Sequence, residues 1–147
     1  MTNVHDVAAY ITGQFDTGIS TMKLQKLCFF AQGWSFALLD EKLFPEDFQA
    51  WRNGPVCYDL FDKHRGSYSV SSWPAGNAST LTKRQRIVVD AMLENYGALT
   101  GLQLSELTHR KSTPWRAARE GLRDGQASNA VIPQKDIRKH FKSANAF

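Results

Sequence analysis

The chain is poor in the residues that staple or metallate a small protein. Its two cysteines, Cys28 and Cys57, lack CxxC spacing and make no disulfide framework. Metal-ligand residues do not cluster at close spacing, so neither a metal nor a cofactor is expected. The GxxxxGK[ST], GxGxxG and HExxH patterns are missing as well, which removes common nucleotide and zinc-hydrolase chemistries. Apolar runs such as Leu27–Ala31 stop far short of the ~20 residues that span a bilayer. The opening MTNVHDV has neither a basic n-region nor an apolar h-region. A cytoplasmic protein with no membrane association is therefore expected.

What is present suits one folded domain over residues 1–147. Hydrophobic residues make up 42% and charged residues 22%, an ordinary globular balance that argues against disorder. The net charge of +4 is uneven: from Leu104 onward nine basic residues face four acidic ones, while residues 1–103 sum to −1. Such asymmetry suits an acidic protein or a nucleic acid, and it suits solvated helix faces equally well.

Periodicity and punctuation predict a mainly α, compact bundle of six or seven helices. Val4–Phe15 is a short helix. After Gly18, Ser20 or Thr21 caps a long one reaching about Leu39. Its stripe of Leu24, Leu27, Cys28, Ala31, Trp34 and Leu38, with phenylalanines elsewhere around the axis, marks a buried central helix. Lys23, Gln25, Lys26 and Gln32 mark its polar sector. Phe48–Trp51 leaves room for one short strand or hairpin. Asn53-Gly54-Pro55 is a turn, with Pro55 suited to the first turn of a helix Val56–His64. Gly66–Ser79 reads as the longest loop. Helices Thr82–Tyr96, Gly101–His109, Trp115–Leu122 and a last one opened by Ile132-Pro133 complete the bundle.

The densest punctuation is Leu104–Trp115, LSELTHRKSTPW. There a helix ends at His109, where an imidazole meets free carbonyls. Thr113-Pro114 then caps and starts the next helix, with Trp115 behind it. Catalytic devices are not apparent. His5, His64, His109 and His140 are far apart, and nothing supports a pairing of His109 with Cys57 or Cys28. The acidic cluster Asp40, Glu41, Glu46 and Asp47 reads as a solvated loop rather than a cation site. Thr100–Leu122 superficially has the form of a helix-turn-helix, but base-reading residues are few. No catalytic residue and no metal ligand is assigned.

Three segments, in order, resemble the Panacea domain family, which includes SocA-like antitoxins and phage-associated GepA-like proteins. LQKLCFFAQGW at Leu24–Trp34 is similar to the family's long helix. Gln49-Ala50-Trp51-Arg52-Asn53-Gly54-Pro55-Val56 echoes its Glu/Lys-Ala-Trp-x-x-Gly-Pro-Val signature, departing at Gln49 and Asn53. LSELTHRKSTPW resembles its Leu-Thr-His…Pro-Trp segment. The resemblance implies an antitoxin that binds and blocks a toxin encoded beside it, with no accepted catalytic centre. Members pair with toxins of many kinds, so it names no toxin.

Site expectations divide by position. Tyr68, Trp73, Arg110, Lys111, Arg116 and Arg119 lie in the long loop or on basic faces and are expected to meet the partner. Trp34, Trp51, Gly54, Pro55, His109, Pro114 and Trp115 lie in the central helix or tight turns and are expected to hold the structure. The alternatives are an operon regulator binding DNA, an adaptor passing the toxin to a protease, or an enzyme of unknown type.

Overall fold

The computed structural model describes residues 1–143. Among these are seven α-helices: α1 (Val4–Thr12), α2 (Thr21–Leu39), α3 (Tyr58–His64), α4 (Lys83–Tyr96), α5 (Gly101–Thr108), α6 (Pro114–Ala118) and α7 (Gln134–Lys142). Four short strands accompany them: β1 (Ile19–Ser20), β2 (Gln49–Trp51), β3 (Gly54–Val56) and β4 (Ser69–Val70). β2 and β3 form an antiparallel hairpin, and β1 pairs antiparallel with β4. The fold is mainly α, as expected, with two small sheets in place of one strand or hairpin. No described helix is long and apolar enough to cross a membrane.

The α2 helix is the axis of the domain. Ser20 caps it by accepting the Lys23 N–H at 3.0 Å, and Asp40 ends it in a left-handed conformation. Leu24, Leu27, Cys28, Phe29, Phe30 and Ala31 are completely buried, and α1, α4, α5 and α7 pack around them. Removing any of the large ones to alanine would cost about 2–5 kcal/mol. Gly33 is needed for close approach, because a methyl there would overlap the Phe141 ring of α7.

The polar sector expected on α2 does not face water. Gln25, Lys26 and Gln32 are buried because neighbours enclose this part of the helix, whereas toward its C-terminal end Leu38, expected in the buried stripe, is exposed. Two of them clasp backbone. Gln32 accepts the Leu43 N–H at 2.8 Å and donates to Phe44 O at 2.8 Å, fixing the chain after α2. Gln25 accepts the Cys57 N–H at 2.8 Å and donates to Cys57 O at 3.1 Å. Its amide nitrogen also lies 3.0 Å from His64 Nε2, which must then accept, so the His64 proton sits on Nδ1. Burial lowers the His64 pKa, in keeping with a neutral ring.

Other expectations shift locally. Pro55 stands in β3 rather than a first helical turn, and α3 begins at Tyr58, because Trp51–Gly54 pairing keeps the chain extended through Val56. The Gly66–Ser79 segment is a partly structured connection, containing β4 and the start of a 3-10 turn at Ala78–Thr80. On α4 Val88, Val89 and Met92 are buried and Ile87 is exposed.

Candidate functional site

The stretch Leu104–Trp115 and the hairpin β2–β3 meet, and their contact has an unusual form. Four consecutive hairpin carbonyls, Ala50 to Asn53, are each held by a side chain from α5, α6 or their flanks. Arg119 donates to Ala50 O at 2.8 Å, and Trp115 Nε1 donates to Trp51 O at 2.6 Å. His109 Nε2 donates to Arg52 O at 3.1 Å, and the Ser105 hydroxyl donates to Asn53 O at 2.5 Å. The other His109 nitrogen, Nδ1, lies 2.5 Å from Ser105 O. Both ring nitrogens thus face carbonyl oxygens. The completely buried Trp115 anchors this clamp. The His109 ring lies 3.8 Å from it, and the Arg116 and Arg119 guanidinium groups lie 5.2 and 4.9 Å from its centroid.

Local sequence explains how the clamp is held. Thr100 and Gln103 form a reciprocal cap on α5. Thr113 caps α6 by accepting the Arg116 N–H, while its hydroxyl lies 2.7 Å from Thr108 O. Pro114 occupies the first turn of α6, where no N–H is needed. Arg116 closes the corner by donating twice to His109 O and pairing with Asp124 at 2.6 Å.

Gly54 makes the hairpin possible from below. Its φ of +119° is a conformation that side chains resist. A Cβ there would also come 2.6 Å from Lys26 Cε and 3.1 Å from the Thr108 hydroxyl. Lys26 therefore lies directly beneath the tip. It is 2% exposed, and among the described residues its ammonium has no hydrogen-bond or ion-pair partner. Burial pushes its pKa down to about 8, which leaves it mostly charged at neutral pH.

The backbone is tied down from behind, and in front Trp51 Nε1 donates to Gln49 Oε1 at 2.7 Å. Arg52 and Asn53 are exposed and Trp51 is half-buried. Phe61 meets Trp51 edge-on at 4.9 Å; Tyr58 lies 5.9 Å from Phe61, and the Arg65 guanidinium sits 5.2 Å over the Phe61 ring. Beside Trp51 and Arg52 an open cleft of about 540 Å³ is completed by Ala127, Ser128 and Asn129. Arg119 ties both walls of this cleft, because it also donates to the carbonyls of Arg123 and Gln126. Trp, Tyr and Arg are the types that dominate protein interfaces.

The expected partner-facing residues fare unequally. Tyr68, Arg110 and Lys111 are exposed. Trp73 and Arg119 are not. Trp73 is buried with Nε1 donating to His5 Nδ1 at 3.1 Å, and Arg119 is occupied by three carbonyls. Arg116 is half-buried and engaged internally. Trp34 is half-buried, edge-on to Tyr96 at 5.8 Å. Trp51, Gly54, Pro55, His109, Pro114 and Trp115 converge on one corner of the fold. Arg52, Tyr58 and Arg65 are not among the residues expected from the sequence to meet the partner. The available signal was Tyr58, Phe61 and Arg65 at helical spacing, one face of α3 just after the Trp51 turn.

Reactive chemistry is not favoured in this corner. Burial pushes the Cys57 thiol up to about 12 and the Cys28 thiol well above its ordinary value, opposite to what a nucleophile needs. Both His109 nitrogens are taken by carbonyls rather than by Cys57. In the acidic loop, Asp40 binds Arg138 and Lys142, Glu46 accepts the Val4 N–H, and Asp47 accepts from Gln134.

The segment bounding this clamp, from Leu24 on α2 to Arg116 on α6, matches a known family. Residues 24–116 fit the family described as antitoxin SocA-like, Panacea domain. The chain belongs to that family. No curated protein and no solved structure matches it. The family's antitoxin-like role therefore attaches to this domain, and a toxin is the partner class it implies. The matched span contains the clasped α2, the whole hairpin and the clamp through Arg116, but not Arg119 or the 127–129 wall of the cleft.

Proposed function

We propose that this protein neutralises a toxin encoded beside it by binding that toxin directly, in the cytoplasm, as one half of a bacterial or phage-borne toxin–antitoxin pair. The observation that carries the reading is the clamped hairpin in a SocA-like domain. A surface whose backbone is fixed from behind loses little freedom on association, and preorganisation of that kind favours tight binding. The mechanism is occlusion: the domain covers the toxin and performs no chemistry upon it. Thiols with raised pKa values and a His109 occupied at both nitrogens support a non-enzymatic role.

Direct reading of an operator is less well supported. The α6 helix is five residues long, its Trp115 is buried, and Arg116 and Arg119 are engaged internally rather than offered to a groove.

The test is co-expression. The reading frame next to this gene is induced alone and together with this protein, and growth is followed. Growth arrest by the neighbour alone, relieved by co-expression and accompanied by a complex that co-purifies, is the expected result. A neighbour that is harmless alone, or that stays toxic despite abundant antitoxin, refutes the reading.

A further inference from the structure

Two cations are buried behind the hairpin tip without a carboxylate to balance them. Lys26 is 2% exposed and Arg119 is 4% exposed, and among the described residues neither forms an ion pair. Arg119 is satisfied by carbonyls, which share its protons but leave its charge in place. Among the described residues Lys26 has no such acceptors, and the little exposure it keeps leaves its ammonium within reach of water. Charges removed from water are weakly screened, so their field reaches the nearest surface. For Lys26 that surface is the tip, since the ammonium sits 3.3 Å from where a Gly54 Cβ would stand. In front of the tip Arg52 is exposed, with Arg110, Lys111 and Arg123 exposed on the clamp side. The acidic residues of that side are Glu106, Glu120 and Asp124, the last paired with Arg116; on the adjoining α3 face Asp59 is exposed and Asp62 pairs with Arg65. Cations outnumber carboxylates at this corner, and the buried ones lie under a partly aromatic surface.

We propose that the hairpin tip is the docking site for an acidic segment of the toxin, whose carboxylate sits against Arg52 while a neighbouring apolar side chain enters the cleft beside Trp51. This rests on the antitoxin reading and adds where and what the antitoxin grips. The cleft of about 540 Å³ between Trp51 and the Ala127–Asn129 wall has room for one large side chain. A protein partner fits better than a nucleic-acid backbone. Phosphate binding uses rows of exposed cations, whereas here two cations are buried and the exposed Arg52 stands beside the half-buried aromatics Trp51 and Phe61. Lys26 acts at a distance as a positioning charge. It makes the tip electropositive without touching the partner.

The product of the adjacent reading frame, tagged and co-expressed, serves as the probe. Complex is quantified by pull-down over a salt series, with growth rescue measured in parallel, for wild type, Arg52→Glu, Lys26→Met and Arg84→Glu. Arg84 is exposed on α4, away from the tip, and serves as control. Arg52→Glu is expected to lower retained complex roughly tenfold or more, since it sets like charges against each other. Lys26→Met is expected to lower it several-fold while its own melting temperature rises. A purely structural lysine would not give that pairing. Arg84→Glu is expected to match wild type. Wild-type rescue with Arg52→Glu and Lys26→Met both retained like wild type would overturn the docking site and leave the antitoxin reading standing. Failure of wild type to bind or rescue would overturn both. Displacement of the toxin by a short DNA duplex, at equal potency for unrelated sequences, would reassign the tip to a polyanion.

Discussion

The hairpin tip Ala50–Gly54 and the connection Gly66–Ser79 are both irregular, aromatic-bearing surface segments, yet they are fastened in opposite ways. The hairpin is held by its backbone: side chains from a segment more than fifty residues away take its carbonyls, Arg52 and Asn53 stay outside, and Trp51 stays half-exposed beside Phe61. The connection is held largely by its own side chain. Trp73 is driven inward, stacks on His5 at 6.2 Å and donates to its ring, while Tyr68 remains outside with only its carbonyl bound, by Thr21. An aromatic residue used as an anchor is lost to recognition. An aromatic residue whose backbone is anchored by others is free for it. On that difference rests the proposal that the hairpin, and not the longer connection, meets the partner.

The largest expected effect breaks the clamp outright. Trp115→Ala removes a fully buried indole and the donor to Trp51 O, and should cost about 3–5 kcal/mol in urea unfolding. Unchanged stability would mean that the hairpin is not held from behind. Trp73→Ala tests the other half of the comparison. It should cost about 3 kcal/mol, since the ring is 6% exposed, yet folded protein should bind toxin with unaltered affinity. A binding defect at full occupancy of the native state would move recognition back to the connection.

Lys26→Met should act in the opposite direction, stabilising the protein at neutral pH by roughly 3 kcal/mol, taking about 1.36 kcal/mol per pKa unit. The sign with pH follows from a pKa lowered on folding from 10.5 to about 8. Above 10.5 both folded and unfolded chains carry the neutral amine and burial costs no charge; below about 8 both carry the cation and the cost is complete. The advantage of Lys26→Met should therefore shrink as pH rises from about 8 to 10.5, which paired denaturation curves at pH 7 and pH 10 would measure. A constant gap would locate the effect in packing. The smallest change is Ser105→Ala, which frees one of the four carbonyls. It should cost about 1 kcal/mol and speed amide exchange in Trp51–Gly54 while leaving β1–β4 unaffected.

Legibility followed the distance over which each interaction acts. The Ser20 and Thr113 caps reach three residues along the chain, so a single window of sequence contains both partners. The buried α2 was equally readable, because apolar residues all around an axis have no other stable environment. Gln25, Lys26 and Gln32 were misjudged for the complementary reason. A polar residue on such a helix signals solvent unless its partner is known, and the partners lie in the Leu43–Phe44 loop, at Cys57 and under Gly54. Arg119 failed likewise: its spacing suited an exposed basic face, and only the carbonyls of Ala50, Arg123 and Gln126 show why it is buried.

Sequence alone therefore determined the helical class, the central helix, the turn residues at Gly54, Thr113 and Pro114, and the family resemblance, because each is carried by residues close together or by an ordered set of local motifs. Tertiary structure alone decided that LSELTHRKSTPW grips AWRNGPV through four successive carbonyls and that Lys26 lies uncompensated beneath the tip. The reason is physical. A backbone carbonyl is the same group at every residue, so which side chain claims it, and which face is left free for a partner, is set by packing and not by composition.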